Sequence, residues 1–160
     1  MVVQLLYRVE EEYVMNIKNL YMTLIKIGDF FKSLSLLFAR LVIAYGFYHP
    51  AMNKWSDING IAEWFSTLGI PLPLLNAYMA ATTEIAGVVL LTLGLFTRAI
   101  SLPLIVVMIV AIVTVHLPNG FSAGDNGFEI PLYYMLFLFI FFTNGAGKFS
   151  LDRIIFGEKN

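Results

Sequence analysis

The amino-acid sequence predicts an all-α membrane protein: a four-helix transmembrane bundle with an N-terminal amphipathic helix and a short interfacial helix between spans one and two. Three observations predict it. Of 160 residues, 59% are hydrophobic and only 13% are charged, with a mean hydropathy of +0.78. Soluble domains carry roughly 25% charged residues. Four apolar stretches follow one another, two of them long enough for the ~20 residues that a helix needs to cross a ~30 Å hydrocarbon core. Lys and Arg gather on one side of those stretches. We divide the chain into an N-terminal cytoplasmic or interfacial segment (1–29), a membrane domain (30–148) and a short cytoplasmic tail (149–160).

In the first segment, Ile17, Leu20, Tyr21, Leu24, Ile27, Phe30 and Phe31 recur at three- and four-residue intervals. That spacing predicts an amphipathic helix lying along the membrane surface or leading into the first span. No secretory signal pattern is visible, and Met15 and Met22 are alternative starts. Span one runs from about Phe30 to Tyr48, with Lys32 snorkelling, and is expected to stop at Pro50, which cannot continue the hydrogen-bond ladder. Between Ala51 and Pro73, the residues Ile58, Ile61, Ala62, Phe65 and Leu68 fall at helical spacing beside Trp55 and Trp64. They predict a short interfacial helix capped by Asp57 or Asn59. Span two runs from about Leu74 to Leu95 and span three from about Ala99 to Leu117. Pro118 to Glu129 is rich in Gly, Asn, Ser and Asp and is expected to be a flexible turn. Span four, about Ile130 to Phe142, is short and trails into Gly145 and Gly147.

Arg8, Lys18, Lys26 and Lys32 precede span one, Arg98 lies in the link between spans two and three, and Lys148, Arg153 and Lys159 follow span four. Only Lys54 lies on the other face. The positive-inside rule then places both termini in the cytoplasm of a bacterial inner membrane. Net charge is −1, from 10 basic and 11 acidic side chains, which gives nucleic acid no basic surface. Without cysteine there is no disulfide, thiol chemistry or iron–sulfur ligation by this chain. No Walker loop, Rossmann glycine run, GxSxG or HExxH occurs.

Ionisable groups within spans are costly, at ~2.5–3.5 kcal/mol each on insertion scales, so each needs a reason. Glu84 lies near the middle of span two, on a stripe with Ala77, Ala80, Ala81, Gly87 and Gly94. Small residues let helices approach, so the stripe faces the bundle interior. Glu84 is either a proton acceptor or ligand partner, or an interhelical polar link. Arg40, inside span one, is its expected partner, and the two form the candidate buried polar or quinone site. A second candidate cluster, on the outer face, comprises His49, Lys54, His116 and Glu129. Two histidines at one depth could ligate a haem or a metal ion. Arg40 and His49, however, are nine residues apart, ~180° around a helix, so if Arg40 faces the bundle His49 does not. Neither haem nor metal is expected. Glu129 has a plain reading as a carboxylate at a helix N-terminus, with Pro131 in the first turn. The aromatic run of span four, Phe128, Tyr133, Tyr134, Phe137, Phe139, Phe141 and Phe142, could stack on a quinone ring or face lipid.

Three stretches carry a resemblance. ARLVIAYGFYHPAMNKW holds Arg40, His49 and Lys54; TEIAGVVLLTLGLFTR holds Glu84, Gly87, Gly94 and Arg98; GFEIPLYYMLFLFIFFTNGAGKFSLD holds Glu129 and the C-terminal motif of Gly145, Gly147, Lys148, Ser150 and Asp152. Together they resemble the DoxX family of small four-span membrane proteins over roughly Leu34 to Asp152. The family often has glycine after the histidine of the first span, where this chain has Pro50, which weakens any role carried to His49. The resemblance implies an inner-membrane protein, similar in some members to the small membrane subunit of thiosulfate:quinone oxidoreductase and in others associated with oxidative-stress or thiol-redox partners. It points to Arg40, Lys54, Glu84, His116 and Glu129.

The expected function is a membrane subunit of a quinone-linked redox system, with the catalytic cofactor in a soluble or membrane oxidoreductase partner. Two alternatives stand beside it. One is a non-catalytic anchor or assembly subunit whose buried charges fix helix register. The other is a small-solute or proton pathway lined by Glu84, which four short spans could form only as a homo-oligomer.

Overall fold

The computed structural model describes residues 2–157, with side chains from Val14 onward. The side chains of Arg8, Glu10, Glu11 and Glu12, and Lys159, lie outside the described residues. Six α-helices follow in order: α1 (Val2–Ser56), α2 (Ile58–Thr67), α3 (Pro73–Leu93), α4 (Thr97–Ala111), α5 (Glu129–Asn144) and α6 (Leu151–Phe156). A π-helical turn, Ile112–His116, prolongs α4, and short 3-10 turns cover Leu117–Asn119 and Ala123–Asp125. Among the described residues there is no strand. Three helical stretches are long and apolar enough to cross a membrane: Val14–Ser56, Pro73–Leu93 and Thr97–Asn119. Glu129–Asn144 is a shorter apolar helix. This is an all-α, four-helix membrane bundle.

The chain divides into two units, Met1–Ser33 and Leu34–Asn160. In the first, the helix exposes Ile17, Leu20, Leu24, Ile27 and Phe31. In the second, Leu36, Ile43, Ala44 and Phe47 of α1 meet Leu91 of α3, Ile100, Leu104 and Met108 of α4, and Leu138 and Phe141 of α5 in one core. Lipid tails are as apolar as leucine, so close van der Waals packing rather than escape from water holds such helices together. The small stripe of α3 provides it. Ala77, Ala81, Glu84, Gly87 and Leu91 are all buried, and a Cβ at Gly87 would lie 2.8 Å from Leu104 Cδ1. Span two therefore faces inward as its spacing predicts.

α2 lies across the start of α3, with Ala62 and Phe65 packed on Ala77. Asp57 is its cap, accepting from the Gly60 amide at 3.0 Å. Pro73 opens α3, where a missing N–H costs nothing.

Two expectations are corrected. Span one does not stop at Pro50: α1 continues through it to Ser56. Pro50 removes only the bond its nitrogen would have donated to the Gly46 carbonyl, and Gly46 adds no side chain to the crowding there. Helices in membranes tolerate such breaks where neighbours close around them. The second correction concerns the loop after α4, which is internally bonded rather than a flexible turn. The Gly127 amide donates to Ser122 O at 2.8 Å, Phe128 to Gly120 O at 3.0 Å and Glu129 to Phe121 O at 3.0 Å. Composition marks a turn but does not reveal how many of its amides find partners.

At the end of the bundle that carries the α3–α4 turn, the C-terminal motif ties the helices together. Gly145 and Gly147 adopt φ of +74° and +78°, a conformation that side chains resist, and reverse the chain after α5. Ser150 then caps α6, accepting from the Arg153 amide at 3.3 Å and donating to Gly147 O at 2.6 Å. Asp152 accepts from the amides of Phe96 and Thr97 at 2.7 and 3.0 Å, capping α4 from another helix. A carboxylate there satisfies two orphan donors and complements the helix dipole. Arg98 donates to the carbonyls of Phe142 and Thr143 at 2.9 and 2.8 Å, closing the end of α5. Lys148 stays exposed.

Candidate functional site

The charges sort into two groups, and the expected Arg40–Glu84 pair is not among them. Arg40 is fully buried, donating to Leu91 O at 3.0 Å and Phe149 O at 2.6 Å. It closes the end of α3 and holds the C-terminal motif. Leu91 lies seven residues from Glu84, ~10 Å along the helix, so Arg40 serves the turn end of α3 while Glu84 sits nearer its middle. Both arginine bonds go to backbone carbonyls, the groups a helix end leaves unsatisfied.

Glu84 instead meets Lys54, whose ammonium donates to Oε2 at 2.9 Å. This pairing is the direct consequence of α1 continuing past Pro50, because the added turns carry Lys54 into the bundle. Glu84 is 2% exposed. In so apolar a setting each charge needs the other, since an unpaired buried ion costs several kcal/mol. Among the described residues, Lys54–Glu84 is the one ion pair, and Glu84 Oε1 has no hydrogen-bond partner.

The pair lies in the wall of a cavity of about 580 Å³, within the ~300–1,000 Å³ typical of small-molecule sites. Phe47, Trp64 and Phe65 supply aromatic wall, and Met79, Val106 and Val110 aliphatic wall. His116 lines it as well, at the end of the π-helical turn. Its Nδ1 lies 2.8 Å from the carbonyl oxygen of Asn126. A carbonyl only accepts, so Nδ1 carries a proton, and in the neutral ring Nε2 is then an acceptor. Polar groups gathered in a mostly apolar chamber are the usual composition of a ligand site.

Of the aromatic run in span four, Tyr134 reaches the chamber. Its ring stands edge-on to Phe47, with centroids 5.4 Å apart. Its hydroxyl lies against Gly46, where a Cβ would sit only 1.8 Å from it. Tyr134 makes no hydrogen bond among the described residues, leaving its hydroxyl for whatever occupies the chamber. Gly46→Ala is therefore expected to push the phenol aside and narrow the cavity, at a stability cost of about 1–3 kcal/mol typical of overpacking. Thermal midpoint and ligand content of the purified variant check it.

The outer-face cluster is only partly assembled. Lys54 and His116 line the same cavity as Glu84, but His49 and Glu129 do not. His49 is exposed on α1 between the rings of Tyr45 and Tyr48, with centroids 5.9 and 5.4 Å away. It does not line the chamber that His116 lines. Glu129 organises the loop instead, accepting from the Ala123 amide and the Tyr133 hydroxyl, both at 3.0 Å. The role of Lys54 was hidden by the expected helix stop. The Tyr134–Gly46 contact had no sequence signal, because nothing in either helix's periodicity names the residue opposite.

The sequence profile of the DoxX family matches residues 35–117, which include Arg40, Lys54, Glu84 and His116. An uncharacterized protein of Haemophilus influenzae is 35% identical over 125 residues, covering 76% of this chain and 83% of its own. A putative oxidoreductase, CatD, of Bacillus subtilis is 31% identical, covering 78% and 90%. The inner membrane protein YphA of Escherichia coli is 29% identical, covering 74% and 88%. No solved structure matches significantly. The likeness runs nearly the full length of these relatives, and on it this membrane protein belongs to the DoxX family.

Proposed function

We propose that this chain is the membrane subunit of a quinone-linked redox system and that its cavity seats the quinone ring. The observation that carries the proposal is the Lys54–Glu84 pair set in the wall of an aromatic-lined chamber of about 580 Å³. Lys54 has N–H groups to spare beyond the one given to Glu84, and one of them can donate to a quinone carbonyl. Glu84 Oε1 and His116 Nε2 can accept from the hydroxyls of the reduced form. Reduction of a quinone takes two electrons and two protons. The electrons come from a partner oxidoreductase, because this chain has no cysteine and no nucleotide motif. Lys54, Glu84 and His116 hold and orient the oxygens that gain the protons. The name of the CatD relative supports a redox setting.

We place the protein in the bacterial cytoplasmic membrane with both termini inside. Arg98, Lys148 and Arg153 belong to the α3–α4 turn and the segment after α5, as the positive-inside rule prefers for a cytoplasmic face. A second reading, a non-catalytic anchor subunit, draws on the mutual satisfaction of Lys54 and Glu84, which a purely structural link would also show.

The test is the quinone content of protein purified in mild detergent, per mole of chain, with Glu84→Gln beside it. Near-stoichiometric quinone in the wild type, lost in a variant that keeps its thermal midpoint, is the expected result. No quinone in either protein overturns the proposal and leaves the anchor reading.

A further inference from the structure

On the side of α3 and α4 the chamber is open, as it also is at Trp64, Asn126 and Ile130. Near the α3–α4 turn the two helices touch: Gly87 and Leu104 are both buried and in contact. Farther from the turn the same helices still line the chamber, through Met79 and Thr83 on α3 and Val106 and Val110 on α4. Yet here the side chains are open to the outside. Met79 is 57% exposed, Val106 58% and Val110 42%. α3 and α4 are membrane-crossing stretches, so the outside they meet is acyl chain. Residues that line the chamber and are exposed on membrane-crossing helices mark a lateral window on this side.

Size gives the window a use. The cavity is large enough for a substituted ring but far too small for a polyprenyl chain. The polar groups lie inward at Lys54 and Glu84, and the walls toward the window are aliphatic. A ligand with a polar ring and a long hydrocarbon tail would match that gradient in one orientation only.

We propose that the window framed by Met79, Thr83, Val106 and Val110 admits a tailed quinone sideways from the bilayer and holds the first part of its isoprenoid tail. The ring seats against Lys54–Glu84, and the rest of the tail stays in lipid. This rests on the quinone reading above and adds the route and the class of ligand: membrane-dissolved and tailed, not water-borne. Tail contact contributes affinity that a bare ring lacks. A bulky side chain in the window should weaken the tailed ligand more than the bare ring.

The experiment measures binding of a long-tailed benzoquinone, and of the same ring without its tail, to the full chain in lipid nanodiscs. Val106→Trp and Val110→Trp fill the window. Leu102→Trp, also exposed on α4 but outside the chamber, controls for the added indole. The expected result is a loss of about tenfold or more for the tailed ligand, well beyond the loss for the bare ring, with the control unchanged. Met79→Ala, which widens the window, should speed uptake of the tailed ligand and keeps the test open should a tryptophan variant misfold. Equal loss of both ligands in the tryptophan variants, or no loss of either, overturns the window. A wild-type protein that binds the bare ring but not the tailed one overturns it too, while leaving the ring site standing. A wild type that binds neither ligand overturns the ring site and the window with it.

Discussion

Lys54→Met is expected to destabilise the protein far more than the double replacement Lys54→Met with Glu84→Leu. The single change leaves the Glu84 carboxylate buried without its cation. Removing one partner of a buried pair typically costs about 3–5 kcal/mol, whereas replacing both with apolar groups of similar volume is often neutral. The bilayer sharpens the contrast, because no water reaches a mid-span carboxylate unless the chamber floods. Thermal midpoints of the four proteins of the cycle in one detergent measure it. Equal midpoints for Lys54→Met and wild type would mean that the 2.9 Å contact carries no stability. The same double variant separates structure from function. On the anchor reading it restores the wild-type phenotype. On the quinone reading it restores the fold and leaves the chamber without its polar wall.

The sequence carried the parts of this architecture that are local. The inward face of α3 was legible because Ala77, Ala81, Glu84 and Gly87 are close in sequence and one helix sorts them. The cap of α2 was legible, to within Asp57 or Asn59, for the same reason. What was not legible depended on context or distance. Pro50 reads as a stop by the rules of soluble helices, but here α1 passes through it, and that reading kept Lys54 on the outer face. Arg40 and Glu84 looked like partners because few charges lie in the spans and these two were the nearest in depth. The contact that wins Arg40, the Phe149 carbonyl, is 109 residues away, and no periodicity encodes it. The C-terminal motif was visible as a pattern, yet its work of capping α4 from α6 needs residues 56 positions apart to meet.

Arg40→Leu is expected to have the other large effect, and it acts away from the chamber, at the turn end of α3. The guanidinium fastens α1 to the end of α3 through Leu91 O and to the C-terminal motif through Phe149 O. Leucine keeps much of the volume but takes the donor from the Phe149 carbonyl, at a cost of about 1–3 kcal/mol for an unsatisfied group, and leaves Leu91 O only the Gly94 amide at 3.2 Å. Arg40→Lys keeps the charge but offers a single point where the arginine fork reaches two segments, so it should recover only part of the loss. Gly94 tests the geometry independently. A Cβ there would lie 2.0 Å from Arg40 Nη1, at a φ of +65° that already disfavours a side chain. Gly94→Ala should therefore destabilise on its own and add to Arg40→Leu less than its full cost, because the clash with the guanidinium disappears while the φ strain and the 2.7 Å approach to Ser150 Cβ remain. Residues that share one contact fail to add in this way, whereas distant sites sum within about 0.3–0.5 kcal/mol. Thermal midpoints of both single variants and the double would show it. Full additivity would place Gly94 outside the Arg40 latch and leave its cost to the backbone and to Ser150. In either case bound quinone should persist in whatever fraction stays folded, since Arg40 does not line the chamber.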